Sequence, residues 1–409
     1  IEKNDVKYIK QDLLYRNDWA WKVLLYGSSW DLDICIKLRN NFNTIEEIIN
    51  EKNCTRDVDK IIWGTGIQLG TGVDSTMYMG RPLIDSKRGV SKFIVNIEKS
   101  KPFDKKSVHR IRNPKIFEAP YCLIKKGIDM KTYELKAVYS EQNFLFQEAI
   151  RAIKGEEKDK TFLKSITGIF NSSLSAYINT ILGSSVGIER EQAFFEEVLR
   201  FPFFNNEKAV NEVADLVDEI QLLHENSNNI FQNWKLNELE KKLDEAVLEG
   251  FGLKDNAFVD YIINIQIPMI RKEKKQLGNK RVDESELLEY AKEFQTYFVN
   301  YYSSYGYGIE INISTNLTNQ FVAFELNINE EISDTYIHFI KSDNIEKDMI
   351  SRFAIKSHTD SFFTIRDSIV FENTSFYILK KDLFKNWHPA MAKRDLAEVI
   401  DRILTGGEG

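Results

Sequence analysis

From about residue 206 to 302 the apolar side chains fall three and four positions apart, whereas on either side they alternate or gather in short runs. Val210, Val213, Leu216, Val217, Ile220 and Leu223 share one helix face, and Leu236, Leu239, Leu243 and Val247 share another. GFGLKD at 250–255 ends the second of these, and RVDESELLEYAKEFQTYFVNYY at 281–302 supplies a further helix. This pattern predicts antiparallel helices set between strand-bearing sections, and so an α+β chain.

Before the helices, short apolar runs mix with glycine-rich turns, as in WGTGIQLGTGVDSTMYMGRPLI (63–84) and SKFIVNI (91–97), and read mainly as strands. Helices are expected near 140–154 and over 161–182, where Phe162, Ile166, Ile169, Phe170, Leu174, Ile178 and Leu182 keep helical spacing. After them GIEINIS (308–314), QFVAFELNI (320–328), DTYIHFI (334–340), FTIRDSIVFE (363–372) and SFYILK (375–380) alternate as strands, and AKRDLAEVIDRILT (392–405) closes as a helix. The expected organisation is a connector over 1–60, a mixed α/β domain over 61–205, a helical spacer over 206–305 and a small α+β domain over 306–409.

No run of about eighteen apolar residues offers a membrane span, so a soluble chain without a membrane partner is expected. Cys35, Cys54 and Cys122 stand far apart without a CxxC pair or histidines at zinc spacing, which predicts no metal site and a reducing cytoplasm. The chain begins at Ile1 rather than at a methionine, as a piece of a longer protein would.

The formal net charge of -7 conceals a reversal along the chain. From Arg81 to Lys136 there are fifteen Lys and Arg against six Asp and Glu, and from Glu191 to Asn300 thirteen against twenty-two. A polyanion-binding region beside solvated helices would look like this, and so would an uneven surface.

GTGIQLGTG (64–72) lacks the Lys-Ser/Thr of a phosphate-binding P-loop and misses the dinucleotide spacing by one residue, so it reads as a turn between strands. EAPY (118–121) departs from the (N/D/S)PP(Y/F) tetrapeptide of amino-methyltransferases at Glu118 and Ala119. Asp129 with Glu134 and Lys136 has the residue types of a magnesium nuclease at too short a spacing, which leaves ordinary surface charges as the alternative. His109, His224, His338, His358 and His388 are scattered, and no catalytic residue is assigned in this chain.

Three stretches taken in order carry a resemblance: GIQLGTGVDSTMYMGRPLI (66–84), RIRNPKIFEAPYCLIKKG (110–127) and SITGIFNSSLSAYINTILGSSVGIEREQAFFEEVLRFPFF (165–204). Together they resemble the TaqI-like target-recognition region of adenine-specific N6 DNA methyltransferases, as found in fused restriction-modification and phage-defence methylases. The matched residues are Arg112, Pro114, Ile116, Phe117, Pro120, Asn171, Ser172, Leu174, Gly187, Arg190, Glu197, Val198, Leu199, Phe201, Pro202 and Phe203, while Phe204 replaces the usual final proline. The resemblance covers about residues 1–260.

The resemblance implies that residues 61–205 are a DNA target-recognition domain and that 1–60 connect it to a methylase domain outside this chain. It implies double-stranded DNA as partner, no cofactor in this chain, and S-adenosylmethionine in the missing catalytic domain, so that this fragment alone is not an enzyme. Lys87, Arg88, Arg110, Arg112, Lys115, Lys125 and Lys126 are the expected DNA contacts, with Ser184, Ser185 and the Gly187 backbone donating to phosphate and Arg190 pairing with phosphate or guanine.

Each has a plainer reading. PKIF and FPFF suit core packing, Arg190 suits a brace with Glu189, Glu191 or Glu196, Asn171 suits a cap at a helix irregularity, and Trp19, Trp21 and Trp30 suit burial rather than base stacking. The alternative function is a protein-interaction module whose acidic helices dock a nuclease or defence partner.

Overall fold

The computed structural model describes residues 11–406 apart from 18, 112, 189–190, 226–229, 274, 316–320, 330–334 and 342–367. The architecture is α+β. Two compact units divide the chain, Asp12–Ile263 and a second built from Asn264–Gly409 with Ile1–Gln11.

The first unit opens on four helices, α1 (Gln11–Arg16), α2 (Ala20–Tyr26), α3 (Ser29–Asn41) and α4 (Ile45–Cys54). Ser28 and Thr44 start α3 and α4 with reciprocal capping boxes to Asp31 and Glu47, which satisfy amides that a helix N-terminus leaves open. Strands β1 (Ile62–Thr65), β2 (Gln68–Asp74), β3 (Pro82–Ile84), β4 (Val90–Ser91), β5 (Ile94–Val95), β6 (Lys101–Pro102), β7 (Ser107–Arg110), β8 (Tyr121–Lys125), β9 (Ala137–Ser140), β10 (Leu145–Phe146) and β11 (Ile150–Lys154) follow. They form an antiparallel sheet in the order β1-β11-β8-β9, a small sheet β10-β3-β6, and the two-stranded ribbons β2-β7 and β4-β5. Then come α5 (Lys160–Phe170), α6 (Ser173–Ile181), α7 (Phe195–Leu199), α8 (Glu207–Glu225), α9 (Ile230–Gly250) and α10 (Ala257–Tyr261).

The β region is held by an aromatic core. Phe117 meets Phe146 edge-on at 5.0 Å and Tyr121 meets Phe144 at 5.5 Å, with Ile67, Tyr78, Val108, Ile116 and Ile150 buried around them. Pro114–Phe117 and the run Phe201–Phe204 are packing elements. Phe201 and Phe203 are buried against Phe170 and Phe162, while the Ile45 amide donates to the Phe201 carbonyl and the Phe203 amide to that of Asn43.

Several expectations need correction. The segment 140–154 forms strands rather than a helix. Ile150–Lys154 is buried throughout as a central strand between β1 and β8, and an apolar run buried on both faces has no period that would distinguish it from a helix. The helix expected over 161–182 breaks at Asn171–Ser172, where Ser172 turns extended. Residues 64–72 run largely as strands β1 and β2 rather than as a turn, and 91–97 folds into a tight hairpin around Phe93 at φ 62. Trp21 is 64% exposed, because Ala20, Val23 and Leu24 take the inward face of α2.

The break between α5 and α6 has a purpose. Asn171 is 1% exposed, and its amide accepts from the Ala137 N–H and donates to the Ala137 carbonyl, both at 2.9 Å. Along α6, Ser175 Oγ accepts from the Leu135 amide at 3.1 Å and Asn179 Nδ2 donates to the Tyr133 carbonyl at 3.0 Å. Three side chains four residues apart thus pair backbone groups of the segment 133–137 that leads into β9.

The second unit is a five-stranded sheet in the order β14-β12-β13-β16-β15, with β12 Gly308–Thr315, β13 Phe321–Asn329, β14 Thr335–Ile340, β15 Ser368–Glu372 and β16 Ser375–Lys381. The β12–β14 pair is parallel and the others antiparallel. Helices Glu284–Tyr302 and Pro389–Leu404 contribute Tyr290, Phe294, Phe298 and Met391 to its core. Residues 363–367 of the expected fourth strand lie outside the described residues.

Replacing Asn171 with Ala leaves the Ala137 N–H without a partner, while the Ala137 carbonyl still accepts from the Phe93 amide at 3.0 Å; an unsatisfied buried group costs about 1–3 kcal/mol. Asn171→Ala is expected to lower the unfolding free energy by about 1–3 kcal/mol in urea denaturation.

Candidate nucleic-acid interface

β2 and β7 form an exposed ribbon anchored at one side. Gln68 pairs with Arg110, Val73 with Val108 and Asp74 with Ser107, so residues 69–72 bulge opposite His109 alone. Glycine permits this course. Gly70 and Gly72 take φ 148 and 139, and a Cβ on Gly70 would lie 2.8 Å from the His109 Cβ. Val108 is buried and fixes the ribbon to the aromatic core, while β2 is exposed beyond Gln68. On the outward side Gln68 Oε1 and His109 Nδ1 stand 3.1 Å apart, next to the exposed Arg110.

Exposed cations stand at the ends of the ribbon and elsewhere in the same unit. Ser75 is buried and binds the carbonyls of Lys105 and Lys106 through its hydroxyl at 2.7 Å and its amide at 3.0 Å, which places both exposed lysines at the Asp74–Ser107 end. Lys101 lies opposite Leu83 in the neighbouring sheet. Lys115 sits exposed in the 3₁₀ turn Pro114–Phe117, capped by Asn113. Lys87 and Arg88 are exposed in a turn whose amides donate to Asp85 at 2.7 and 2.9 Å. Lys125 and Lys126 are half-buried at the end of β8; burial, then the neighbouring Lys136, pull the Lys125 ammonium below the usual lysine range.

The cations therefore fall into two classes. Lys92 pairs with Glu134 and Glu240, and Lys136 with Asp129 at 2.7 Å, so the acid and Glu-x-Lys residues serve as separate structural pairs. Among the described residues Lys87, Arg88, Lys101, Lys106, Arg110, Lys115, Lys125 and Lys126 make no ion pair, and no group of three or more His, Cys, Asp or Glu is arranged to hold a metal. Arg112 and Arg190 lie outside the described residues.

The loop 183–187 is organised differently from the ribbon. The Ser184 and Phe194 amides donate to the two oxygens of Glu197, each at 2.7 Å, and the Gly187 amide donates to Glu191 at 3.4 Å. Tyr26 Oη donates to the Gly187 carbonyl at 2.9 Å, and Lys22 donates to the carbonyls of Gly183 and Asn179. Ser185 is 3% exposed. Internal carboxylates thus hold the amides that a phosphate would need, and only the Ser184 side chain faces solvent there.

Sequence reasoning missed Gln68 and His109 as neighbours of Arg110, and Lys101, Lys105 and Lys106 as exposed cations. The available signal was the pair of glycines two apart, which marks a bulge when a strand lies opposite. Which strand lies opposite is a tertiary fact.

Burial pulls Lys22 down from 10.5 to about 8 against the raising fields of Glu197 and Glu191. Across that window the unfolded chain binds more protons than the folded one, so the Lys22 contribution to stability rises with pH. Urea denaturation from pH 8 upward is expected to show this slope in the unaltered chain and its loss in Lys22→Met.

No family model matches the chain, and no curated protein matches it. Among solved structures the chain is similar to the Type IIL restriction-modification enzyme MmeI in complex with DNA, at 14% identity and a TM-score of 0.35. The likeness covers 53% of this chain and 36% of that one, and at this TM-score it does not establish a common fold.

Proposed function

We propose that this chain recognises double-stranded DNA through the β2–β7 ribbon and its cationic flanks. The observation that carries the reading is an exposed, bulged two-stranded ribbon with Arg110 at one end and Lys106 at the other, neither in an ion pair, and with Lys105 held only loosely by Asp104. Between Ile97 and Phe117 seven Lys and Arg stand against two Asp and Glu, which reverses the sign of the whole chain locally.

A two-stranded ribbon is narrow enough to enter the major groove, where base edges present distinguishable donors and acceptors. Gln68, His109 and Arg110 are the residue types that read such edges, while Lys101, Lys105, Lys106 and Lys115 reach phosphates and set the register. Lys87, Arg88, Lys125 and Lys126 extend the phosphate surface; Ser184 remains a phosphate donor through its hydroxyl.

The finer proposal is that this recognition specifies the site of an adenine-N6 DNA methyltransferase of a restriction-modification or phage-defence system. Its support is the ordered set of motif residues, of which Ile116, Phe117, Leu174, Val198, Leu199, Phe201 and Phe203 are buried. Binding of S-adenosylmethionine and methyl transfer would then belong to a separate catalytic domain.

Fluorescence anisotropy against random duplex, titrated with salt, tests the DNA reading. Each lysine removed is expected to reduce the log-log salt slope by about 1, so Lys105→Ala with Lys106→Ala removes about 2 and weakens all sequences alike. Unaltered binding in every ribbon and flank variant would overturn the assignment of the surface. Selection of a preferred duplex tests the readers: Gln68→Ala is expected to relax discrimination at one position by about 1–3 kcal/mol and to leave the salt slope in place.

A further inference from the structure

The segment that follows β2 carries apolar side chains that the fold does not use. β2 runs into the turn Thr76–Tyr78; Met77 within it is 73% exposed and Met79 just after it 44%, while Tyr78 between them is 2% exposed. Tyr78 packs edge-on against Phe117 at 5.8 Å and lies beneath the Arg81 guanidinium. Asp74 accepts from the Thr76 amide at 3.3 Å and its hydroxyl at 3.0 Å, and the buried Ser75 is tied to the carbonyls of Lys105 and Lys106. The turn is thus fixed from three sides, and its fixing directs both methionines outward.

Two neighbouring methionines projecting from a pinned turn have no folding role, since exposing them forgoes the burial that stabilises apolar side chains. Beside them stand Lys105 and Lys106. Asp104 lies 3.9 Å from Lys105 as a loose pair between exposed side chains, which neutralises little in water. An apolar wedge next to exposed ammonium groups complements a surface in which apolar planes sit a short distance from fixed negative charge. A base step of duplex DNA flanked by its phosphates is such a surface, and apolar wedges entering a step unstack it and kink the helix.

We infer that Met77, supported by Met79, inserts at a base step and bends the duplex that the ribbon binds. This rests on the DNA reading proposed above and adds to it a deformation of the partner. Methionine suits the role because an unbranched, polarisable side chain adapts to an irregular gap between ring faces. Bending would draw more of the phosphate backbone onto Lys101, Lys105 and Lys106. Sequence preference would then include steps that unstack easily, such as TA and CA, at positions without a polar contact.

The test uses the full chain and duplexes of about 20 base pairs labelled at both ends, long enough for a bend to change the end-to-end distance. Energy transfer reads the bend, 2-aminopurine placed beside a TA step reads unstacking, and anisotropy on the same samples reads binding. The expected result is a gain in transfer and in 2-aminopurine fluorescence on binding, lost in Met77→Ala with Met79→Ala and kept in Met77→Leu. The salt slope is expected to fall in the double alanine variant by the phosphate contacts that bending adds, and to hold in Met77→Leu. Binding without either gain, or gains that persist in the double alanine variant, overturns the wedge and leaves the DNA reading standing. Absence of duplex binding by the unaltered chain at low salt overturns both.

Discussion

The first unit depends on side chains of a helix standing in for a missing strand. β9 is the last strand of its sheet, and an open edge leaves backbone groups without partners. Asn171 closes it at Ala137 with both halves of its amide, and Ser175 and Asn179 continue along Leu135 and Tyr133. Asn171 stands at the break before α6 and Ser175 and Asn179 follow one helical turn apart along it, so the three reach alternate residues of the segment 133–137. Helix and sheet are thereby locked in register as well as packed.

Other contacts build outward from this seam. Gly168 in α5 brings α8 close, because a Cβ there would lie 2.3 Å from a methyl of Val213. Asp244 in α9 accepts from the Ser173 amide at 2.6 Å and its hydroxyl at 2.8 Å, so α9 caps the start of α6. At the far end Arg56 holds Asp159 through two hydrogen bonds of 2.8 and 2.6 Å. Burial alone would raise the Asp159 carboxyl, but the Arg56 and Glu156 hydrogen bonds outweigh it and keep the group below the usual carboxylate range. On such a frame the β2–β7 ribbon is rigidly presented, with Val108 and Tyr78 in the core and their neighbours outside.

The two loops that drew attention in the sequence have opposite electrostatic fates. The glycine and serine loop at 183–187 spends its amides on Glu191 and Glu197 and becomes a structural joint between α2, α6 and α7. The glycine run at 64–72 spends its freedom on a bulge and leaves the polar side chains around it facing solvent. Composition is alike in both. The difference lies in whether acidic residues are close enough in space to satisfy the loop internally.

The sequence alone was sufficient for whatever periodicity encodes. The helices at 207–225, 230–250 and 284–302, the strands of the second unit and the packing role of Ile116, Phe117, Phe201 and Phe203 follow from which side chains must leave water and at what interval. The excess of cations from Arg81 to Lys136 is equally legible, because charge is additive along the chain. What only the tertiary structure decided is pairing. Residues 150–154 became a strand because β1 and β8 offered partners on both sides, and Asn171 broke a helix because the Ala137 backbone lay within reach. Likewise Gln68, His109 and Arg110 became one surface only when β2 met β7 across thirty-odd intervening residues. A hydrogen bond is satisfied by proximity in space, and local sequence does not record which distant segment will supply it.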